Sequence, residues 1–427
     1  MFQRMITYGK NVSASSPFLR YVLTLVTGTA AAQVVVFFMT MIITRLYGRE
    51  MIGEFGTFNA IVAVVVAVAA GRYDMALMLE ADDRDAKVLA KLAFRIILVV
   101  SFIVTFLSFP LRPLVAHHYS QAVADWLPLA GLTTLFMSGA ALVQYWYNRK
   151  TDYKTIALNR VQQQIGTSGG QVVFGWAGLH SIAGLISGQI LGQAWAFFNL
   201  GFRAKDLRHL DTAGSKSMKA LARKHWKMPV LNGPNVLVDT VRANGINLLI
   251  GRVSVGDFGE YLIANQVVSV PVTLINSAVS QVFFQKLSTI QPGHMLKEVR
   301  NLVKRALIIG TIPFALLWLV APWLLPILFG PDFSQSGYYA RALIPWMAML
   351  LITSPISTLF VTTGTQHWLL VFSILYTLGS LSWLIFSPLD LLGTIYVLGL
   401  IMAAFLLVMT AMSIFAARRF DRGAANA

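Results

Sequence analysis

Asn232, Asn235, Asp239 and Arg242 follow one another at spacings of three, four and three residues. On an α-helix that spacing puts two amides, a carboxylate and a guanidinium on one stripe. They lie in the segment PVLNGPNVLVDTVRANGINLLIGR, Pro229 to Arg252, which is otherwise apolar enough to cross a membrane. An ionised side chain at bilayer depth costs from about 2.5 kcal/mol upward unless it faces protein or a wet cavity, so this stripe cannot face lipid. A guanidinium can make paired hydrogen bonds to phosphate oxygens, and the carboxylate three residues away can orient it or carry a proton. The bland alternative is that the two charges simply neutralise each other in a buried contact.

A second stripe, Asn265, Ser269, Thr273, Asn276 and Ser280, repeats at four, four, three and four residues. Amides and hydroxyls of this kind suit sugar hydroxyls, and they also hydrogen-bond between packed membrane helices. Arg72 and Asp74 stand where another apolar segment ends, a place where Arg72 can meet an entering phosphate or serve as an interfacial anchor. Other signals carry less. Asp83-Arg84-Asp85 has the D-x-D spacing of metal-dependent glycosyltransferases but no nucleotide-binding domain around it, and reads as a solvated loop. The GSKS at Gly214 lacks the full P-loop spacing, so ATP hydrolysis is not expected. His117-His118 lacks the His-Glu-x-x-His pattern, and with no cysteine there is neither a disulfide framework nor a thiolate metal site. No metal and no cofactor is expected.

The elements that must position these residues are membrane helices. The 427 residues are 56% hydrophobic and 12% charged, with a mean hydropathy of +0.65, which a soluble domain of this size does not show. A spanning helix needs about 20 apolar residues. On that scale about twelve spans are expected, centred near Gln33, Val62, Val104, Leu135, Val172, Gln189, Thr240, Val270, Phe314, Leu350, Ile374 and Leu400. The TGTAAAQ stretch, Thr27 to Gln33, resembles a signal-peptidase site, but the apolar run continues to Thr44 and is too long for a signal-peptide core. Of 34 Lys and Arg, 28 fall in the N-terminus, Arg72–Arg95, Asn148–Val161, Arg203–Met228, Lys286–Arg305 and the tail after Ala417. By the positive-inside rule those segments and both termini are cytoplasmic. The same distribution accounts for the net charge of +16 without a nucleic-acid partner.

YGREMIGEFGTFNAIVAVV (Tyr47 to Val65) and IGRVSVGDFGEYLIANQVV (Ile250 to Val268) align without a gap at an offset of 203. Gly48/Gly251, Arg49/Arg252, Gly53/Gly256, Phe55/Phe258 and Gly56/Gly259 pair, and the glycines predict a turn before the next helix. The chain therefore reads as two parallel six-helix repeats, residues 1–202 and 229–427, joined by a basic connection at 203–228 that acts as hinge or strap. Six helices separate equivalent positions, so the repeats share one orientation about an axis along the membrane normal. Applying the offset to the polar stripe gives Thr29, Ala32, Val36 and Met39 in the first repeat; the fold itself does not demand the stripe. Gly184, Gly188 and Gly192 form a small-residue seam suited to helix packing.

RLYGREMIGEFGTFNAIVAVVVAVAAGRYDMALML, Arg45 to Leu79, resembles the N-terminal signature of polysaccharide and O-antigen flippases in the multidrug/oligosaccharidyl-lipid/polysaccharide (MOP) exporter superfamily. Arg45, Leu46, Tyr47, Gly53, Phe55, Arg72, Tyr73, Asp74 and Ala76 occupy the signature positions. Gly-Arg-Glu replaces the frequent proline after the first turn, and Asp74 replaces the usual glutamate. The resemblance implies an all-α, twelve-helix, MATE-like integral membrane protein of the bacterial inner membrane. It implies a transporter rather than an enzyme, moving an undecaprenyl-pyrophosphate-linked oligosaccharide of an O-antigen or exopolysaccharide to the periplasmic leaflet. Its partners would be that lipid-linked substrate, membrane lipids, and glycan polymerase and chain-length machinery. A drug exporter of the same superfamily would line its cavity with carboxylates for cationic cargo. A membrane polymerase or ligase of lipid-linked glycans would carry a large external loop, whereas the longest external stretch expected is Pro110 to Asp125.

Overall fold

The computed structural model describes residues 17–209, 211–289, 293–357, 359–363 and 365–423. The described residues are helical and contain no strand. They divide into two compact units, Met1–Gly259 and Glu260–Ala427. All twelve expected span centres fall within helices. Among the described residues six helices are both long and apolar enough to cross a membrane, at Thr27–Val66, Asp83–His118, Met295–Phe329, Ser336–Ile356, His367–Phe386 and Leu391–Arg422. Large apolar side chains such as Phe102, Phe106, Ile312 and Phe386 stand exposed on them. A water-soluble protein does not present such a surface, and the chain is a multi-pass membrane protein.

The first unit opens with α1 (Pro17–Val66), which is interrupted at Gly48 with φ 67° and ψ 175°, a conformation open to glycine. After a turn come α2 (Tyr73–Ala76), α3 (Asp83–His118), α4 (Gln121–Trp126), α5 (Leu129–Arg149), α6 (Tyr153–Trp176) and α7 (Ile182–Arg203). The helices α8 (Lys205–His209) and α9 (Met218–Lys224) belong to the basic connection. A π turn at Met228–Asn232 then leads into α10 (Gly233–Val253) and α11 (Val255–Thr289), whose residues from Glu260 on belong to the second unit.

The two copies of the repeated motif are broken differently. The first breaks at Gly48, but Gly251 is helical, and the second breaks at Ser254, whose extended backbone and hydroxyl cap Asp257 N–H at 3.3 Å. A hydroxyl cap thus replaces the expected glycine turn. The segments after the breaks cross in backbone contact. A methyl on Gly53 would sit 1.8 Å from Val255 O, and one on Gly259 would sit 2.0 Å from Arg49 O.

Among these helices α6 and α7 are held by neutral amides rather than by apolar side chains alone. Gln163 Nε2 donates to Gln193 Oε1 at 2.5 Å, Asn199 Nδ2 to Gln162 Oε1 at 2.8 Å, and Gln171 Nε2 to Leu185 O at 3.1 Å. The glycine seam lets the backbones approach, since a methyl on Gly188 would meet Gln171 N at 2.4 Å. The amides lower the hydropathy of α6, and their mutual hydrogen bonds remove the cost of carrying them into an apolar environment.

The Asp83-Arg84-Asp85 segment is not a solvated loop. Asp85 is buried and accepts Lys216 N–H at 2.8 Å with Lys216 Nζ at 3.1 Å. Arg84 Nη1 donates to Ala213 O at 3.1 Å, and Lys87 Nζ to Arg208 O at 3.0 Å. Asp83 pairs with Arg149 at 2.9 Å. Buried Glu80 accepts both Lys224 Nζ, at 2.8 Å, and His225 Nε2, at 2.5 Å. Burial alone would raise the Glu80 pKa, but the bonds from Lys224 and His225 win and hold it below the ordinary glutamate range. The acidic start of α3 is a berth for the basic connection, which lies along the first unit as a strap.

The second unit holds α12 (Met295–Phe329), α13 (Ser336–Ile356), α14 (Leu359–Thr362), α15 (Gln366–Phe386) and α16 (Leu391–Gly423). Fully buried Glu260 accepts Gln335 N–H at 2.5 Å, placing a carboxylate at the amide-rich start of α13, where the helix dipole favours it. Gly337 against Pro322 and Gly399 against Ala342 O are its close backbone approaches.

Candidate functional site

The turn between α1 and α2 closes on two consecutive left-handed residues, Gly71 with φ 56° and Arg72 with φ 59°. The glycine adopts this freely. The arginine does not, because its Cβ crowds the following carbonyl at a cost of about 1 kcal/mol or more. What holds Arg72 there is its side chain. Nε donates to Asn232 Oδ1 at 2.9 Å, Nη2 contacts Met75 Sδ, and the Tyr145 phenol lies against the same guanidinium. Asp74, two residues on, is buried, and its Oδ1 has no hydrogen-bond partner among the described residues. Two residues singled out in the sequence, Arg72 and Asn232, are thus brought together across 160 positions.

The other members of the first stripe lie elsewhere. The π turn widens the helix by one residue per turn, so Asn232 leaves the line drawn through Asp239 and Arg242 and turns to Arg72. Asp239 and Arg242 face each other with Nη2 3.9 Å from Oδ1, and the Asp239 side chain is 69% exposed against 21% for Arg242. The pair is partly open, not a sealed interior contact. The side chains of Asn235 and Ser280 lie outside the described residues. On α11 the hydroxyls of Ser269 and Thr273 bond carbonyls of their own helix at 3.1 and 3.0 Å. Asn265 Oδ1 and Asn276 Oδ1, by contrast, are buried without a hydrogen-bond partner among the described residues.

Sequence reading missed the residues around a cavity of about 330 Å³ between the end of α5 and the start of α6. Ala141, Gln144, Tyr145 and Asn148 line it from α5, and Tyr153, Ile156 and Arg160 from α6. Tyr145 is therefore shared between the lining of the cavity and the Arg72 guanidinium. Arg160 reaches across to Thr29, Nη1 to Oγ1 3.0 Å. Positions 141, 144, 145 and 148, then 153, 156 and 160, have the spacing of two single helix faces, which is the signal that could have found them. Among the described residues no group of three or more His, Asp or Glu is placed to hold a metal ion. The chemistry on offer is anion pairing by two guanidiniums, together with neutral amide and phenol hydrogen bonding.

No curated protein matches the chain. Among solved structures it is similar to the lipid II flippase MurJ in an inward closed conformation, with a TM-score of 0.75 at 14% identity over 93% of this chain and 90% of the other. It is also similar to a multidrug resistance MATE family transporter of the MOP superfamily in an inward-facing conformation, with a TM-score of 0.65 at 15% identity over 91% and 96%. A third is a MOP superfamily transporter from Pyrococcus furiosus described as having a binding pocket of reverse polarity, with a TM-score of 0.61 at 14% identity over 94% of each chain. The fold is that of these proteins. Residues 42–337 match the family described as polysaccharide biosynthesis protein. With that match running over more than half of its length, the chain belongs to the polysaccharide biosynthesis protein family.

Proposed function

We propose that the protein flips an undecaprenyl-pyrophosphate-linked oligosaccharide, an O-antigen or exopolysaccharide repeat unit, across the bacterial inner membrane by alternating access. It does so as a secondary transporter with twelve spans in two six-helix repeats and both termini in the cytoplasm. The observation that carries this reading is Arg72, held in a strained backbone conformation by Asn232 and set against the wall of a cavity that also holds Arg160. Strain of this kind is kept where a side chain must be presented, and two guanidiniums suit a pyrophosphate. Membership of a polysaccharide biosynthesis family and the fold shared with a lipid II flippase support the same cargo class. A cation-coupled drug exporter is the alternative. The absence of any carboxylate among the seven lining residues speaks against it.

In this reading Arg72 and Asn232 capture the pyrophosphate from the cytoplasmic leaflet. Arg242 and Asp239, with Asn235, Asn265 and Asn276, then line its later path. The test is surface glycan made by a flippase-deficient host expressing each variant, normalised to membrane-inserted protein. The unmodified chain should restore glycan. Arg242→Ala, Asp239→Asn and the charge swap Asp239→Arg with Arg242→Asp should all lose it, because the swap moves the cation by three residues, about 4.5 Å of helix rise. Full rescue by the swap beside failure of both single changes would leave the pair as a structural clamp. Orientation has its own check: a reporter fused after Lys205 should read cytoplasm and one near His117 periplasm, and a periplasmic signal at Lys205 would overturn the topology.

A further inference from the structure

The cavity between α5 and α6 has more in it than an anion needs. Gln144 and Asn148 lie four residues apart on one face of α5, and their side-chain amides make no hydrogen bond to protein among the described residues. Each amide offers both donors and an acceptor, the combination that a ring hydroxyl, itself donor and acceptor, can satisfy. Tyr145 and Tyr153 add two aromatic rings to the wall, and Ile156 and Ala141 add apolar surface. A bare phosphate would use none of this. A cationic ligand would meet Arg160 and no carboxylate in the lining. A lipid chain would leave both amides and the guanidinium without partners. The volume, about 330 Å³, lies at the small end of ligand pockets, which run from about 300 to 1,000 Å³. It suits a ring with its attached charge better than a whole repeat unit.

Resting on the flippase reading, we propose that this cavity is a saccharide subsite for the sugar that carries the phosphate. Gln144 and Asn148 hydrogen-bond ring hydroxyls, the rings of Tyr145 and Tyr153 cover the sugar's C–H face, and Arg160 pairs with the phosphate on the anomeric carbon. Arg72, which contacts Tyr145, is left to the second phosphate. Selection of the first sugar then takes place on the first unit, before any transport step, and Gln144 and Asn148 are its specificity-determining residues.

The test is calorimetric titration of the purified full-length protein in detergent with glucose 1-phosphate, galactose 1-phosphate and N-acetylglucosamine 1-phosphate, against inorganic phosphate and methyl glucoside. At least one hexose 1-phosphate should bind on the order of tenfold more tightly than inorganic phosphate, as two hydrogen bonds of ordinary strength would give. The double variant Gln144→Ala with Asn148→Ala should lose that advantage while keeping phosphate affinity. Asn148→Leu, nearly isosteric and so a check on folding, should weaken the hexose phosphates while leaving inorganic phosphate unchanged. Arg160→Ala should lose both ligands. The proposal falls if no hexose 1-phosphate outbinds phosphate, or if both amide variants keep the preference. Glycan rescue by the unmodified chain does not depend on this preference. Rescue without the preference removes the subsite alone, and the preference without rescue removes the flippase reading alone.

Discussion

Arg72→Ala should reduce surface glycan in a flippase-deficient host at least about tenfold at normal protein level, the scale expected when a charge-assisted phosphate contact is lost. Arg72→Lys should keep part of the activity, because charge survives while the paired geometry does not. The informative variant is Arg72→Gly. Its backbone accepts φ near 59° without the crowding that arginine suffers, and this relief offsets the bonds to Asn232 and Tyr145 that go with the side chain, so this protein should stay within about 1 kcal/mol of the unmodified one. It should nevertheless fail to export glycan. Retained stability joined to a loss of transport is the signature of a strained residue retained for what its side chain does. Thermal unfolding in detergent and the glycan assay read the two quantities separately. Full export by Arg72→Gly would reduce Arg72 to an interfacial anchor.

Gly53→Ala should be the most damaging of the small substitutions. The added methyl would lie 1.8 Å from Val255 O, and the matching change at Gly259 would lie 2.0 Å from Arg49 O. Both obstacles are backbone, so no side chain can swing aside, and the crossing segments must separate. Overpacking of a close contact costs about 1–3 kcal/mol, and the rigid partner places these two at the upper end. Gly169→Ala is the control, since a methyl there meets nothing within 4 Å and alanine favours the helix by about 1 kcal/mol. Melting temperature and the yield of inserted protein should fall for Gly53→Ala and Gly259→Ala and hold for Gly169→Ala. Equal melting temperatures for Gly53→Ala and Gly169→Ala would mean that the segments do not cross as described.

The helices were legible in the sequence because length and hydropathy decide them locally, and all twelve expected centres lie in helices. The polar helices show what hydropathy omits. The run Gln162-Gln163-Gln164 looks too polar for an apolar setting until Gln193 and Asn199 are seen to answer it. The meeting of Arg72 with Asn232 was not legible, because it depends on a π turn and on a contact between distant segments. Arg160 reads in the sequence as a topological charge; its spacing with Tyr153 and Ile156 puts it on one helix face, but that spacing does not say that the face lines a cavity. Asp83-Arg84-Asp85 looks solvated in the sequence because the partners of Arg84 and Asp85, Ala213 and Lys216, lie more than a hundred residues away.

The amide bonding between α6 and α7 limits how the first unit can move. Neutral amides lose no strength in salt and do not titrate, so this pair holds equally in every ionic condition. Sliding one helix past the other by a turn would break the Gln163–Gln193 and Asn199–Gln162 bonds at once and drive Gly188 off the Gln171 backbone. The pair behaves as a single stiff plank, and the wall of the cavity that α6 supplies moves with it. The backbone of this unit departs from α geometry at, among other places, Gly48, the Gly71–Arg72 turn, the π turn at Met228–Asn232 and Ser254. Two of these points bear directly on the Arg72 guanidinium, one through its own left-handed backbone and one through its bond to Asn232.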